Sequence, residues 1–459
     1  MKPLSVRQIR TILAGELIQG FDDEIVHYGA YRIKQVKEKN TVLFSKKKIV
    51  DWEDLKDFFP LVLVTHQKYS RNEQLENLTI IKVNDMEEAY WKFVNYYRGL
   101  FQIPVVAITG TSGKTTTKEM IRHILAADKT IAYTNNSNNS RTAHLHYLLS
   151  IGEDTEAAVF ETAVGAPGDV LNAGEYFKPT IGIITNIGAH HLNYCKTLEG
   201  YIRAKGEMCA ALEHQGVLII NADDYNSEKL DLKNYNGRII KVGINSQCHF
   251  KANDVNFCTN GMQFNVQYEQ IDYPMFIPGV GEHQVYNALA AIAAVHELGI
   301  TISEAANRLS TFRNLNKHLQ MHEGINGSTI LDDTWSMTTT SLEAALHVLK
   351  ELGQGKKRVA ILGTITDLGS WGYIIHELAG ELICQIGVDV LITIGEHARL
   401  MADHVVKSGS NSQVHTFNNS ILVYDLLKKI VDKNTVILIK GDMYSLPIIE
   451  LASKLSKKQ

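Results

Sequence analysis

The segment Val105-Val106-Ala107-Ile108-Thr109-Gly110-Thr111-Ser112-Gly113-Lys114-Thr115-Thr116-Thr117 constrains this chain more than any other. An apolar, β-branched run enters a glycine-rich turn with a lysine, and a helix-compatible stretch follows, which predicts strand, phosphate loop and helix. The backbone N–H groups of Gly110, Thr111, Ser112, Gly113 and Thr116 and the helix N-terminus suit an anion, and Lys114 adds a point charge for β- and γ-phosphates. Thr115 offers a hydroxyl to Mg²⁺. Ile108 stands where the longer phosphate-loop pattern has a glycine, so this is the short Gly-x-x-Gly-Lys-Thr form. Met120, Ile121, Ile124 and Leu125 fall on one helical face, as a core-facing helix requires. An ordinary βα turn has no need of Gly-Lys-Thr-Thr.

Several functional classes are disfavoured by composition. The chain has 459 residues, 45% apolar and 21% charged, a soluble globular balance with room for about three domains. No apolar run approaches the roughly 20 residues of a membrane span, and Met1-Lys2-Pro3-Leu4-Ser5 lacks the apolar core of a secretory signal. A net charge of −4 argues against a nucleic-acid partner. The five cysteines are scattered and never form Cys-x-x-Cys, which predicts reduced thiols in the cytoplasm and no zinc site.

Three segments follow one another. Residues 1–100 are mixed, with an amphipathic start (Val6, Ile9, Ile12, Leu13) and short strands such as Thr41–Phe44 and Leu61–Val64. Residues 101–313 alternate strands with helices, as a parallel sheet covered by helices does. A small antiparallel insert is expected at about 238–278. Residues 314–459 alternate again, as a doubly wound, Rossmann-like α/β domain does, and ligands of such sheets sit beyond the carboxyl ends of the strands. The predicted class is α/β with three domains: small and mixed, then a parallel-sheet phosphate-loop ATPase, then Rossmann-like.

Polar residues at strand ends supply the candidate chemistry. Glu161 follows Ala158-Val159-Phe160, His191 follows Ile183-Ile184-Thr185-Asn186 and its turn, and Lys205 lies in a helical stretch. A carboxylate and an imidazole near a triphosphate can hold divalent ions during phosphoryl transfer. Each residue alone has a plain reading as a cap, a packed histidine or a surface lysine. Their order is more telling. From Thr109 onward the chain resembles the Mur ligases, through the phosphate loop, Thr134 with Asn136-Ser137-Asn138-Asn139, Glu161 and Gly168. The series continues with Asn186-Ile187-Gly188 to His191-Leu192, Leu198-Glu199-Gly200 to Glu207, and Asn221-Ala222-Asp223-Asp224. It ends with Pro278-Gly279, His283, Asn287, Asp332-Asp333, Leu362-Gly363, Leu368-Gly369, His376 and Lys440-Gly441. The branch it most resembles adds D-alanyl-D-alanine to a UDP-muramoyl tripeptide; residues 1–100 share the family's first domain only loosely.

The resemblance implies an ATP-dependent ligase that phosphorylates a carboxylate, lets an amine attack the acyl phosphate, and releases ADP and phosphate. It implies catalytic roles for Lys114, Glu161, His191 and Lys205, and two Mg²⁺ ions held by Thr115, Glu161 and His191. Lys205 matches a position the family often carbamoylates. His283 and Asn287 share one helix face that meets adenine in the family, and Asp333 falls where the family contacts the ribose. The expected partners are a small carboxylate acceptor and an amine or amino acid.

The departures lie on the substrate side. The family's Asp-Ser-Arg is Ala30-Tyr31-Arg32 here, its Gly-Arg-Leu is Lys317-His318-Leu319, and its Tyr-Asn-Ala-Asn-Pro is Trp335-Ser336-Met337-Thr338-Thr339. Asp442-Met443 replaces Ser-Arg, and Gln284 replaces an asparagine. Arg32, Asn138, Asn139, His318, Trp335 and Asp442 are therefore the candidate substrate residues. Three readings remain open: a ligase with retuned acceptor and amine sites, a divergent muramoyl-tripeptide ligase, and a nucleotide-binding regulator without catalysis. The intact Gly113, Lys114, Thr115, Glu161, His191 and Lys205 argue against the third, and the lost Asp-Ser pair favours the first.

Overall fold

The computed structural model describes residues 1–47, 50, 52–67, 75–258 and 260–456. The chain divides into two compact units. One comprises Met1–Ala107, Asp128–Thr162 and Leu171–Thr180; the other comprises Ile108–Ala127, Ala163–Val170 and Ile181–Gln459. The strand Val105–Thr109 begins in the first and ends in the second.

The first unit holds a five-stranded sheet in the order Glu16–Gln19, Leu78–Lys82, Leu61–Thr65, Thr41–Phe44, Tyr28–Ala30. Its pairs are parallel except the edge strand Glu16–Gln19. The helix Val6–Leu13 buries Val6, Ile9 and Leu13 of the amphipathic start and leaves its fourth apolar residue, Ile12, partly exposed. The helix Met86–Gly99 starts where the Asp85 carboxylate accepts the N–H groups of Glu87 and Glu88, at 2.7 and 2.9 Å. Phe93, Tyr97, Phe160 and Phe177 anchor a core shared with the parallel pair Ile131–Tyr133 and Ala157–Glu161.

In the second unit, Ile181–Ile184, Val217–Asn221, Arg238–Gly243 and Phe250–Cys258 run parallel to their neighbours. Phe250–Cys258, Gly261–Tyr268 and Ile271–Pro278 then form an antiparallel meander. The expected antiparallel insert is therefore a continuation of the parallel sheet that turns antiparallel only after residue 250. The polar-apolar alternation there marks one solvent-facing side, and that alternation does not reveal strand direction. The helix Glu282–Glu297 is buried along nearly its whole length, with Ala288, Ala290, Ala291, Ala293 and Ala294 allowing close packing.

A separate six-stranded sheet runs Gln320–Glu323, Thr329–Asp333, Thr435–Lys440, Lys357–Leu362, Val390–Ile394, Gln413–Phe417. It is parallel except for its first pair. With helices following its strands, this is the Rossmann-like sheet expected. The two edge strands, Gln320–Glu323 and Gln413–Phe417, are too polar for their apolar periodicity to have stood out. Three principal sheets in an α/β chain agree with the predicted class.

Just after Val217–Asn221, Asp223 fastens the turn that follows the neighbouring strand Arg238–Gly243. Its carboxylate accepts the N–H groups of Ile244, Asn245 and Ser246 at 2.6, 3.0 and 2.7 Å and the Tyr286 hydroxyl at 2.8 Å. Burial disfavours the charge, but hydrogen bonds from Ser246, Asn245, Ile244 and Tyr286 prevail and hold the carboxyl at about 2. A depressed carboxyl stabilises the fold above its unfolded value, near 3.8, and that contribution fades as pH falls towards about 2. Asp223→Asn should therefore cost roughly 1–2 kcal/mol at pH 7, discounted for partial solvent access. Urea unfolding at neutral pH and again near the bottom of that window checks this: a deficit that does not shrink in acid would refute the assignment.

Candidate active site

The phosphate loop takes its shape from two close approaches. Gly110 has φ +144°, and a Cβ there would lie 1.8 Å from Thr185 Oγ1. Gly113 has φ +81°, and a Cβ there would lie 2.3 Å from Asn287 Oδ1. Both positions need glycine for backbone angle and for space. The helix Lys114–Leu125 starts directly after, with Met120, Ile121, Ile124 and Leu125 fully buried.

The turn after Ile181–Ile184 grips this loop. Asn186 Oδ1 accepts the Ser112 N–H at 3.0 Å and its Nδ2 donates to the Ser112 carbonyl at 3.1 Å, while Thr185 Oγ1 donates to the same carbonyl at 2.6 Å. Thr111 Oγ1 accepts the Gly188 N–H at 2.9 Å. Lys114 Nζ donates to the Thr111 carbonyl at 3.0 Å. Ser112 Oγ lies 2.9 Å from Thr338 Oγ1 and 2.6 Å from Thr340 Oγ1, so the loop is bonded to the N-cap and first turn of the helix Thr339–Leu352.

One cavity gathers most of the expected nucleotide residues. Ser112, Gly113 and Thr116 line it with His283, Asn287 and Asp333. Burial pushes the His283 imidazole down to about 4, against the pull of Asp333, so it is neutral at pH 7. Gln284 is buried at the same wall, and its Oε1 has no hydrogen-bond partner among the described residues. Phosphate donors and an unsatisfied amide oxygen lining one cavity fit a nucleotide with an amino-bearing base. Asp333, buried at 7% exposure, is already ion-paired with Lys440, whose Nζ also donates to the Ser336 carbonyl at 3.0 Å.

Lys205, 1% exposed, donates to the Gly110 carbonyl at 2.8 Å and Thr109 Oγ1 at 3.2 Å. His191 caps the short helix Leu192–Cys195 in a left-handed conformation, its Nδ1 3.3 Å from Asp367 Oδ2. Burial lowers its basicity most, Asp367 raises it, Lys114 and Lys205 lower it again, and it ends at about 4. His190, beside it, is also held well below its usual value, by burial first and then by His191, Lys114 and Lys205.

Of the substrate candidates, His318 lines the cavity and stacks on Trp335 at 5.5 Å between ring centroids. Asp442 instead accepts the Tyr444 N–H at 2.9 Å and the Ser445 hydroxyl at 3.0 Å, closing a local turn. In the first unit, Glu161 is buried, with its N–H bonded to Thr134 Oγ1 at 3.0 Å and its carboxylate accepting Asn139 Nδ2 at 2.6 Å. Asn138 bonds through its N–H to the Asn135 carbonyl. Arg32 lines a cavity of about 680 Å³ with Tyr31, Lys34, Lys46, Tyr90 and Trp91. Thr115 is the second residue of the loop helix and is partly buried. The sequence named Asn186 only within the family series, Gln284 only as a departure from it and Thr338 only within the altered run, gave none of them a role at the site, and did not mark Thr340 at all. Asn186 carried a usable signal, an amide directly beyond an apolar strand; the two threonines carried none.

Comparison with known proteins settles the family. The Mur ligase middle domain matches residues 108–295, and the Mur ligase glutamate ligase domain matches residues 319–443. The chain belongs to the Mur ligase family. It is 28% identical over 366 residues to the UDP-N-acetylmuramoyl-tripeptide–D-alanyl-D-alanine ligase of Bacillus subtilis, covering 80% of this chain and 79% of that one. Its fold matches the crystal structure of MurF from Acinetobacter baumannii, with a TM-score of 0.85, 21% identity, and coverage of 99% and 100%. MurF from Thermotoga maritima in complex with ADP matches with a TM-score of 0.77, 20% identity, and coverage of 94% and 98%. This Mur ligase is a divergent, MurF-like, ATP-dependent enzyme that forms ADP and uses Mg²⁺, and its substrates are small molecules. Among the described residues no helix is long and apolar enough to cross a membrane.

Proposed function

We propose that this Mur ligase joins a carboxylate acceptor other than UDP-muramoyl tripeptide to an amine other than D-alanyl-D-alanine, through an acyl phosphate. The observation that carries this reading is the contrast between an intact phosphate loop and altered substrate residues. The phosphate loop keeps both constrained glycines and Lys114, whereas Ala30 and Tyr31 stand where the family keeps Asp and Ser. Tyr31 lines its cavity with a ring 5.8 Å from Tyr90, and its hydroxyl donates to the Arg141 carbonyl at 3.4 Å. An aromatic wall with Arg32, Lys34 and Lys46 on it suits an anionic acceptor that carries a flat group. A muramoyl-tripeptide ligase is the competing reading.

Chemically, the acceptor carboxylate attacks the γ-phosphorus and ADP leaves. The amine nitrogen then attacks the acyl carbon and loses its proton, and the tetrahedral intermediate expels phosphate. Lys114 and the loop N–H groups of Gly110 to Thr116 are assigned to the charge developing on the transferring phosphoryl group. His283, Asn287 and Asp333 are assigned to the nucleoside. Bound Mg²⁺, as two ions, would neutralise phosphate charge, held by Thr115, Glu161 and His191. We assign Lys205 as carbamoylated, because a free ammonium would repel a nearby cation whereas a carbamate would ligate it. Acceptor and amine contacts are assigned to Arg32, Asn138, Asn139, His318, Trp335 and Asp442. Residues 1–100, 101–313 and 314–459 are taken as the acceptor, ATP and C-terminal domains. The unpaired cysteines favour a cytoplasmic enzyme.

A phosphate-release screen of carboxylates against amines, with products identified by mass, tests this reading. UDP-muramoyl tripeptide with D-alanyl-D-alanine should be a poor pair. Robust turnover of that pair would establish the cell-wall role instead, and ATP binding without phosphate release from any mixture would leave a regulator.

A further inference from the structure

Consecutive residues do not usually present their side chains to one point, yet His190 and His191 do. Their ring centroids lie 3.8 Å apart. His191 has φ +51°, uncommon for a residue with a Cβ. Asp367, from a distant stretch of the chain, also has a positive φ, +60°. Two contacts bring that stretch in. The Asn193 N–H donates to the Asp367 carbonyl at 3.4 Å, and Trp371 Nε1 donates to the Lys196 carbonyl at 2.8 Å. Gly369 lets the two segments touch, since a Cβ there would lie 3.0 Å from Asn193 Cα. As a result one ligand atom from each of His190, His191 and Asp367 lies within 4.8 Å of the others.

We propose that His190, His191 and Asp367 form a two-histidine, one-carboxylate site for a borderline divalent cation such as Mn²⁺, Co²⁺ or Zn²⁺. This rests on the reading of His191 as a metal ligand and replaces Mg²⁺ as the second ion of the proposed pair with a cation of another class, because His190 adds a second imidazole. Mg²⁺ favours oxygen ligands and keeps several waters, so two imidazoles suit it poorly; Mn²⁺, Co²⁺ and Zn²⁺ accept imidazole nitrogen with carboxylate oxygen. Distance agrees. Ligand atoms about 2.0–2.1 Å from a tetrahedral cation lie roughly 3.4 Å apart, and His191 Nδ1 lies 3.3 Å from Asp367 Oδ2. Asp367 contributes the negative charge, and its side chain is 46% exposed, so the site opens to solvent for entry of the ion. Lys114 faces the imidazoles as a cation, Lys205 does so as the free amine and becomes an anion once carbamoylated, and Asp169 faces His191 as an anion, so the charge around the site is mixed.

Cobalt titration of the nucleotide-free full chain, read by visible absorption, tests this without relying on turnover. A single equivalent of Co²⁺ should bind with the spectrum of nitrogen ligation. His190→Ala and Asp367→Asn should each weaken that binding about tenfold or more, with far-ultraviolet circular dichroism confirming that the variants fold. Absence of binding, or equal affinity in both variants, would overturn the site. The two readings also separate. Co²⁺ bound through the trio in a protein that releases no phosphate would support the site and reject the ligase assignment. Turnover with Mg²⁺ and no cobalt spectrum would reject the site alone.

Discussion

Lys114→Ala should lower substrate-dependent ADP release by about 10³-fold or more. That corresponds to about 4 kcal/mol of lost transition-state stabilisation. The lysine is the first residue of the loop helix, and its Nζ lies over the loop at the Thr111 carbonyl. Alanine keeps the helix but removes the point charge from the position where phosphate charge develops. A coupled ADP assay on both proteins, with matched unfolding midpoints, decides the matter. Unchanged turnover would end the ligase reading for this chain.

Lys440→Met should destabilise the protein by about 3–5 kcal/mol. Lys440 is fully buried and its ion pair with Asp333 is enclosed, the carboxylate also accepting the Leu319 N–H at 3.3 Å. Removing the ammonium leaves a buried carboxylate with one weak donor, which costs far more than the intact pair gains over an apolar pair of equal volume. The double change Lys440→Met with Asp333→Leu should therefore recover much of the loss. Denaturant unfolding of the three proteins measures this, and a single variant as stable as its parent would refute it. Because Asp333 is also assigned to the ribose, activity alone would not separate the two roles; stability does.

The residues most legible in the sequence were those whose chemistry is tied to a chain-local pattern. Val105–Thr109, the constrained glycines and the helix face of Met120 to Leu125 can be read by periodicity, because each answers to neighbours a few residues away. The pairing of His283 with Asn287 was equally plain, since a separation of four puts them on one helix face. What escaped depends on contacts across long stretches of chain. Thr338 and Thr340 meet Ser112 more than 220 residues away, and nothing about a threonine-rich helix start announces that. Asp367 carries no signal in the sequence that marks it as a ligand. Only the turn at Asn193 to Lys196, packed on Gly369 and Trp371, brings it beside two imidazoles. The polar alternation after residue 238 misled for a related reason: a strand's faces are written in its own sequence, but its direction is set by its neighbour.

The hydroxyls between Ser112 and the Thr338–Thr340 turn have a consequence for the speed of the catalytic cycle. Neutral hydroxyl contacts contribute only about 1 kcal/mol apiece, and a phosphate oxygen is the stronger acceptor. An arriving nucleotide therefore competes with the protein's own alcohols for the same donors, and a departing one finds them ready to rebond. A fastening of that strength is easily exchanged, whereas breaking one partner of a buried salt bridge in its place would cost several times as much.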